Sequence, residues 1–396
     1  MGLPSVGSGP LENPHRQAGL RPARRLSGHA LFFPAAAAFG IAALPLSVLP
    51  MAGIAPLLPG LASPAGHAHE MLFGFALAVV AGNQLGPVPA RRLVALLVVW
   101  IAARAAFLLA PGSIAELATN VAFPALLTAQ LSPRLFFRAK KLRNRALPVV
   151  LVALFASALA FQLAALLDAA RLEPGILASA VQLLALLMLF MGGRIIAPAV
   201  AGQHYRQGMN LGPRVQARIE GALIIVMLAA IALSAWPAFP PARALGAGAL
   251  IAAGVLAMVR LLRWRLWKLR GRPDLLCLGA GYAWLVLGLL GYGAALATGR
   301  HAFAALHLIT VGALGTLTLN VMALTWLRLA RRDPAAAREP PWGTLLIAAA
   351  AIGRVAADFT LGHRPALLLL AAACWSAAFL LLLALFARVK WGSDSN

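Results

Sequence analysis

The sequence predicts an all-α polytopic membrane protein of about twelve transmembrane helices with both termini in the cytoplasm. The first observation is composition: of 396 residues, 61% are hydrophobic and 11% are charged, with a mean hydropathy of +0.84. A soluble domain this apolar would have too few polar side chains to cover its surface. The second is that apolar runs of about 20 residues, the length that crosses the hydrocarbon core, recur along the chain. The third is that loops rich in Lys and Arg alternate with loops that contain few of them.

Twelve apolar runs follow one another along the chain. Pro- and Gly-rich stretches, such as residues 56–60 and 240–241, separate several of them, as expected where helices end. The predicted spans are residues 30–50, 69–88, 93–110, 114–132, 146–168, 175–200, 220–240, 243–262, 274–298, 302–327, 342–361 and 366–387.

The positions of the basic residues orient these spans. With both termini inside, most of the 34 Lys and Arg residues fall in cytoplasmic segments, as the positive-inside rule requires. The outer segments hold Arg171, Arg243, Arg300 and Arg364. Because loops rich in basic residues alternate with loops poor in them, a single missed span would abolish the alternation. The net charge of +23 is therefore a topology signal that favours contact with the lipid bilayer, and no nucleic-acid partner is expected.

The chain is predicted to form one membrane domain, residues 29–390, with short flanking tails. Residues 1–28 are polar, basic and rich in Pro and Gly, so we expect a disordered cytoplasmic tail, and residues 391–396 form a short C-terminal tail. Cys277 and Cys374 lie in apolar runs without a CxxC partner, which favours small buried side chains over a disulfide or zinc site. No phosphate-binding loop, dinucleotide motif or GxSxG motif supports nucleotide or hydrolase chemistry.

One polar stretch at the entrance of the second span, residues 66–74, stands out. It carries His67, His69 and Glu70, and ionisable groups at a membrane boundary are costly unless they are paired, hydrated or bound to a metal. Two interpretations of this stretch remain open: a chemical role for these side chains, and simple capping of the helix. Glu70, Gly74, Ala78 and Gly82 recur every four residues, which predicts a small-residue seam for a neighbouring helix.

The histidines cluster on the side predicted to face outward. Imidazole suits iron, copper and zinc, so clustered histidines indicate a metal or haem site. Hydrogen-bonded interface roles are favoured for His301 and His363, and ligand roles for His67, His69 and His307.

Two further polar groups lie in the spans. Arg354 and Asp358 are four residues apart in the eleventh span and can neutralise each other on one helix face, which we interpret as structural. In the sixth span, Gly192 and Gly193 permit close packing and Arg194 anchors the cytoplasmic end. Physical reasoning alone assigns this second group no function.

Five motifs, in order along the chain, resemble the NnrS family. They are HAHEMLFGF at residues 67–75, RNRALP at 143–148, GGRII at Gly192–Ile196, GYAWL at 281–285 and ALHLITVGALGTLT at 305–318. The first and last motifs are long and specific, and the twelve-helix layout extends the resemblance over nearly the whole chain.

The resemblance implies a bacterial inner-membrane protein that contains haem and copper and is connected with the response to nitric oxide and nitrosative stress. Family polar positions carry over at His67, His69, Glu70, Arg194 and His307. The three histidines are then the candidate ligands of haem or copper, while Glu70 would orient a ligand imidazole or relay protons. The resemblance fixes neither a reaction nor an electron donor.

The chain departs from the family pattern at three places. After the GGRII motif it continues with Ala197 and Pro198 and not directly with proline. Gly279 stands where the family usually has a histidine, and after Met322 the chain reads ALTWLR in place of the usual arginine and GHTGR run. An alternative function is a transporter or channel for a small solute or metal complex, with the same polar residues lining its outer mouth. A third is a structural or assembly factor.

Overall fold

The structure is a computed structural model, and it describes residues 25–138, 146–209, 216–234 and 239–389. In those ranges the chain forms twelve long helices, which confirms the predicted all-α membrane bundle. They are α1 (His29–Met51), α2 (64–84), α3 (Ala90–Leu109), α4 (Ile114–Arg138), α5 (Ala146–Leu166), α6 (173–206), α7 (Ala217–Ser234), α8 (Pro240–Arg263), α9 (Pro273–Thr298), α10 (302–329), α11 (Glu339–Ala356) and α12 (Arg364–Arg388).

Ten of these helices are long and apolar enough to cross a membrane. The other two are α2 and α11, and both carry ionisable residues, among them His67, Glu70 and Arg354. The two helices that are least typical as membrane spans therefore hold several, though not all, of the residues singled out by the sequence.

Three helices are interrupted by π-helical segments. Such segments are rare and are frequent at functional sites. Each one here falls on a sequence motif, although no sequence pattern predicted it. They are Glu70–Ala76 in α2, between Pro64–His69 and Leu77–Gln84; Gly192–Ile196 in α6, between Glu173–Met191 and Ala197–Arg206; and Leu308–Gly315 in α10, between Ala302–His307 and Thr316–Leu329.

The bundle is closed and has three helices in mutual contact inside it. Each helix packs against the next one along the chain, and α12 returns to pack against α1. The three π-containing helices α2, α6 and α10 also contact one another. The motif residues are thereby brought to one region although they are far apart in sequence.

The two glycines of the predicted seam on α2 both face α1. A Cβ atom on Gly82 would lie 2.4 Å from the ring of Phe33, and one on Gly74 would lie 3.2 Å from the ring of Phe39. A Cβ atom on Gly74 would also lie 2.8 Å from Nη1 of Arg104 on α3. Both glycines thus admit α1 closely, and Gly74 also admits the arginine of α3.

The helix boundaries also differ from the predicted spans. Helix α2 begins at Pro64, where Ser63 Oγ accepts a hydrogen bond from the Gly66 amide at 3.0 Å. His67 therefore lies inside the helix, although the predicted span began at residue 69. Helix α11 ends at Ala356, so Asp358 lies in the turn that follows.

Some predictions fall on residues that the structure does not cover. Most of the predicted N-terminal tail, the first three residues of the RNRALP motif and the C-terminal tail lie outside the described residues. Arg25–Leu26, at the end of the predicted N-terminal tail, pairs antiparallel with Val88–Pro89. This short pairing places the entrance of α1 beside the exit of α2.

Candidate functional site

The candidate ligands His67 and His69 lie on two different faces of α2, and the third candidate, His307, lies on α10. Residues two positions apart on a helix point about 200° apart, so His67 and His69 face different neighbours. His67 contacts α1 through Ser47, and it lies within electrostatic range of His307 on α10 and Arg354 on α11. His69 faces α3 and α5.

The His69 ring is enclosed by aromatic side chains and only 1% exposed. It stacks on Phe107 with ring centroids 4.0 Å apart, and Phe161 lies 5.0 Å away. Nδ1 is 2.9 Å from Oε1 of Glu70, and Nε2 is 3.2 Å from the side-chain nitrogen of Gln162. Nδ1–H donates to the carboxylate, so Nε2 accepts from the amide. Both ring nitrogens are thus occupied by protein partners.

These bonds belong to a closed network of six side chains. Arg104 donates through Nη1 to Oε1 of Glu70 and through Nη2 to Oδ1 of Asn120. Asn120 donates to Oε1 of Glu116 at 3.2 Å, and Glu116 is hydrogen-bonded to Gln162. We call this set the closed network: His69, Glu70, Arg104, Asn120, Glu116 and Gln162, each 5% exposed or less.

The closed network joins the ends of four helices, α2 to α5, at one level of the bundle. A buried arginine is tolerated when it is paired and its hydrogen bonds are satisfied, which Glu70 and Asn120 largely provide. Oε2 of Glu70 and Nε of Arg104 have no partner among the described residues. Such a pair of buried orphan groups marks a place for an ordered water.

Sequence reasoning missed most of this network. It predicted that Glu70 faces protein but gave no partner for Arg104, and it did not single out Glu116, Asn120 or Gln162. A usable signal was present, because Arg104 lies inside an apolar run and Glu116 and Asn120 share a helix face four residues apart.

The second group contains two histidines, His67 on the other face of α2 and His307 on α10. Nδ1 of His67 lies 2.7 Å from Oγ of Ser47, whose hydroxyl donates to the Leu44 carbonyl at 2.7 Å. Since that hydroxyl proton is already used, Ser47 accepts from Nδ1–H. Nδ1 of His307 lies 2.6 Å from the Phe303 carbonyl, which can only accept. Both neutral rings therefore carry their free lone pair on Nε2.

Arg354 of α11 lies beside this pair. His67 and His307 interact electrostatically with each other, and both interact with Arg354. As predicted, Arg354 pairs with Asp358, at 2.8 Å. The predicted Arg354–Asp358 ion pair is thus also part of the surroundings of the two histidines.

The donor set of the histidine pair fits a metal or haem iron. Imidazole is a common ligand of iron and copper, and a ligand histidine characteristically donates its other ring nitrogen to a carbonyl or similar acceptor. Both rings have this arrangement. Within the described ranges no group of three or more His, Cys, Asp or Glu side chains could hold a metal ion.

The GGRII and GYAWL motifs meet elsewhere in the bundle. A Cβ atom on Gly192 would lie 2.7 Å from the ring of Tyr282, and one on Gly193 would lie 2.2 Å from Nη2 of Arg260. Arg260 pairs with Glu220 at 3.2 Å. The two glycines admit a tyrosine and an ion pair, which explains the motif as a packing feature.

The remaining candidates lie apart from the histidine pair. Arg194 is exposed, with its guanidinium 4.7 Å from the Phe190 ring centroid. His301 packs against Phe359, with ring centroids 4.5 Å apart, and His363 is exposed in the turn before α12.

The departure from the family pattern at Gly279 has a packing consequence. A Cβ atom at this position would lie 2.2 Å from Cδ1 of Leu266. A larger side chain there, such as the histidine usual in the family, would require Leu266 to move.

Fold and site together define a polytopic α-helical membrane protein with a histidine pair and a buried, closed polar network. The chain belongs to the NnrS protein family, whose model matches residues 25–393 and so covers all twelve helices. It is therefore a membrane protein of a family connected with the response to nitric oxide. No curated protein and no solved structure matches the chain.

Proposed function

We propose that this protein binds haem and copper in the bacterial inner membrane and acts in the response to nitric oxide and nitrosative stress. The observation that carries the proposal is the pair His67 and His307, whose Nε2 lone pairs are left free by hydrogen bonds at Nδ1. Family membership supports the cofactors, and the chemistry of the donor set agrees with them.

In this proposal His67 and His307 hold the metal, and their neighbours hold the two rings. Ser47 and the Phe303 carbonyl fix the ring orientations, because each accepts a hydrogen bond from Nδ1–H. Arg354 adds a positive charge that would stabilise an anionic group beside the pair. A bound haem or copper would supply a centre at which nitric oxide coordinates.

His69 and Glu70 take a positioning role. We place His69 outside the metal site because Glu70 and Gln162 occupy both of its ring nitrogens. Glu70 receives hydrogen bonds from His69 and Arg104, which anchors α2 to α3 directly below the turn that carries His67. The closed network would thus keep His67 directed towards α10.

The experiment that tests this function is an optical spectrum and metal analysis of the detergent-purified protein. A Soret band that shifts on addition of nitric oxide, in both oxidised and reduced samples, is the expected result. A well-folded protein that stays colourless and metal-free after expression with iron, haem precursor and copper would contradict the proposal. Assays for solute transport would then become the priority.

A further inference from the structure

A cleft lies between the three π-containing helices, away from the histidine pair. Together with the open solvent at its mouth it measures about 680 Å³, and α2, α6 and α10 all contribute to its walls. Its deep end is formed by the buried residues Ala76, Leu184 and Leu314. Asn83 and Val321 are partly exposed at the other end. The cleft is thus blind inside the bundle and opens where α2 ends, on the side predicted to face the cytoplasm.

The walls of this cleft are aliphatic and contain two thioethers. Val80, Leu187 and Leu317 are among the wall residues, together with Met188 and Met191. Methionine sulfur adapts to irregular ligands and makes favourable contacts with flat rings. Among the described lining residues no side chain is charged, so the cleft has no group to pair with a phosphate or a metal ion.

The polar side chains of the lining are those of Thr318, Asn83 and Gln84, and they lie at two depths. Gln84, next to Asn83, donates to Sδ of Met191 at 3.9 Å. Thr318 is 8% exposed, and its hydroxyl donates to the Leu314 carbonyl at 2.7 Å, which leaves its lone pairs able to accept. Asn83 supplies a side-chain amide at the mouth, where it can both donate and accept. A ligand that uses both groups has one polar atom inside the cleft and a second near the opening.

We propose that this cleft binds the ring of an isoprenoid quinol, the reduced form of a membrane quinone. Such a ring is neutral and flat, carries an oxygen at each end and has an apolar tail. Thr318 would accept from one ring hydroxyl and Asn83 would hydrogen-bond the opposite oxygen, while the tail leaves past Ile195 and Val321. The site concerns a lipid-soluble redox molecule and is independent of any metal at His67 and His307.

The test is equilibrium binding of decylubiquinol, kept reduced under anaerobic conditions, to the full-length protein in detergent, in metal-loaded and metal-free preparations. We expect saturable binding in both preparations. Val80→Phe should abolish it by filling the cleft, whereas Val98→Phe, at a position 57% exposed on α3, should not change it. Thr318→Val and Asn83→Leu should each weaken binding by about threefold to tenfold, the worth of one neutral hydrogen bond.

A threonine outside the cleft provides the matched control. Thr298→Val removes a hydroxyl with the same kind of backbone bond, to Ala294 at 2.9 Å, and should leave the affinity unchanged. Unaltered binding in Val80→Phe would overturn the proposal. So would competition by decan-1-ol at the concentration of decylubiquinol itself, because the cleft would then bind an alkyl chain without distinguishing a quinol ring. Neither result bears on the metal proposal, which the optical spectrum tests separately.

Discussion

Histidines in this protein differ in role because their hydrogen-bond partners differ. His67 and His69 are two positions apart, yet His67 keeps Nε2 free while both nitrogens of His69 are bonded. Sequence reasoning could select these histidines because imidazoles in an apolar run are conspicuous. It could not separate them, since the distinction depends on Ser47, Gln162 and Glu70, which reach the rings from three directions.

The Ser47 hydroxyl should matter to metal retention. Ser47→Ala removes the acceptor for Nδ1–H of His67, and loss of such an outer partner typically costs about tenfold to a hundredfold in metal affinity. Metal content after dialysis against a graded series of chelator concentrations would measure the change. Ser376→Ala is the matched control, because Ser376 also donates to a helix carbonyl, that of Ile41 at 2.9 Å. Equal retention in the two variants would remove Ser47 from the site.

Arg104 should be among the most sensitive residues for stability. Arg104→Met leaves the Glu70 carboxylate buried without its cation, and breaking a buried pair in this way costs about 3 to 5 kcal/mol. Arg92→Met removes an exposed arginine from the same helix and should change the free energy of unfolding by less than about 0.5 kcal/mol. Reversible denaturation in mixed micelles would compare them. Similar stability of the two variants would contradict the closed network.

At the scale of the helix, the π-helical segments explain what the hydropathy pattern could not. Hydropathy located the spans because it reports the apolar length of a helix. It missed the start of α2 by five residues, since Ser63 caps the helix before the apolar run begins. The segment Glu70–Ala76 escaped prediction because its irregular turn depends on tertiary partners, such as Trp100, which donates to the Gly74 carbonyl at 3.0 Å.

Alanine substitutions at two glycines of α6 are expected to have opposite effects on stability. Gly192→Ala would place a Cβ atom 2.7 Å from the Tyr282 ring, and overpacking of this kind costs about 1 to 3 kcal/mol. Gly202 has open space around its Cβ position, so Gly202→Ala should be neutral or stabilising by up to about 1 kcal/mol. Thermal unfolding followed by circular dichroism would rank them. A more stable Gly192→Ala variant would contradict the described contact between α6 and α9.

At the scale of the whole molecule, the order of the helices was predictable and their arrangement was not. Length, apolar runs and the alternation of basic loops were enough to place twelve helices along the chain. The closure of α12 onto α1, the mutual contact of α2, α6 and α10, and the division of the candidate histidines all depend on contacts distant in sequence. One-dimensional patterns carry no record of those contacts.

The predicted orientation in the membrane can be tested with two cysteine variants in a chain that has Cys277→Ala and Cys374→Ala. Ala110→Cys lies in the loop after α3 and Gly271→Cys in the loop before α9, and both native residues are exposed. We expect an impermeant thiol reagent applied to intact spheroplasts to label the first variant, and to label the second only after permeabilisation. The reverse pattern would contradict the predicted cytoplasmic termini.

Spectra of four single Gln variants distinguish metal ligation by His67 and His307 from ligation by His69. We predict that His67→Gln and His307→Gln lose the haem absorption and its shift with nitric oxide while unfolding at the temperature of the metal-free parent protein. His69→Gln and the exposed control His301→Gln should keep the absorption and the shift. Loss of the spectrum in His69→Gln together with a normal spectrum in His307→Gln would contradict ligation by His307.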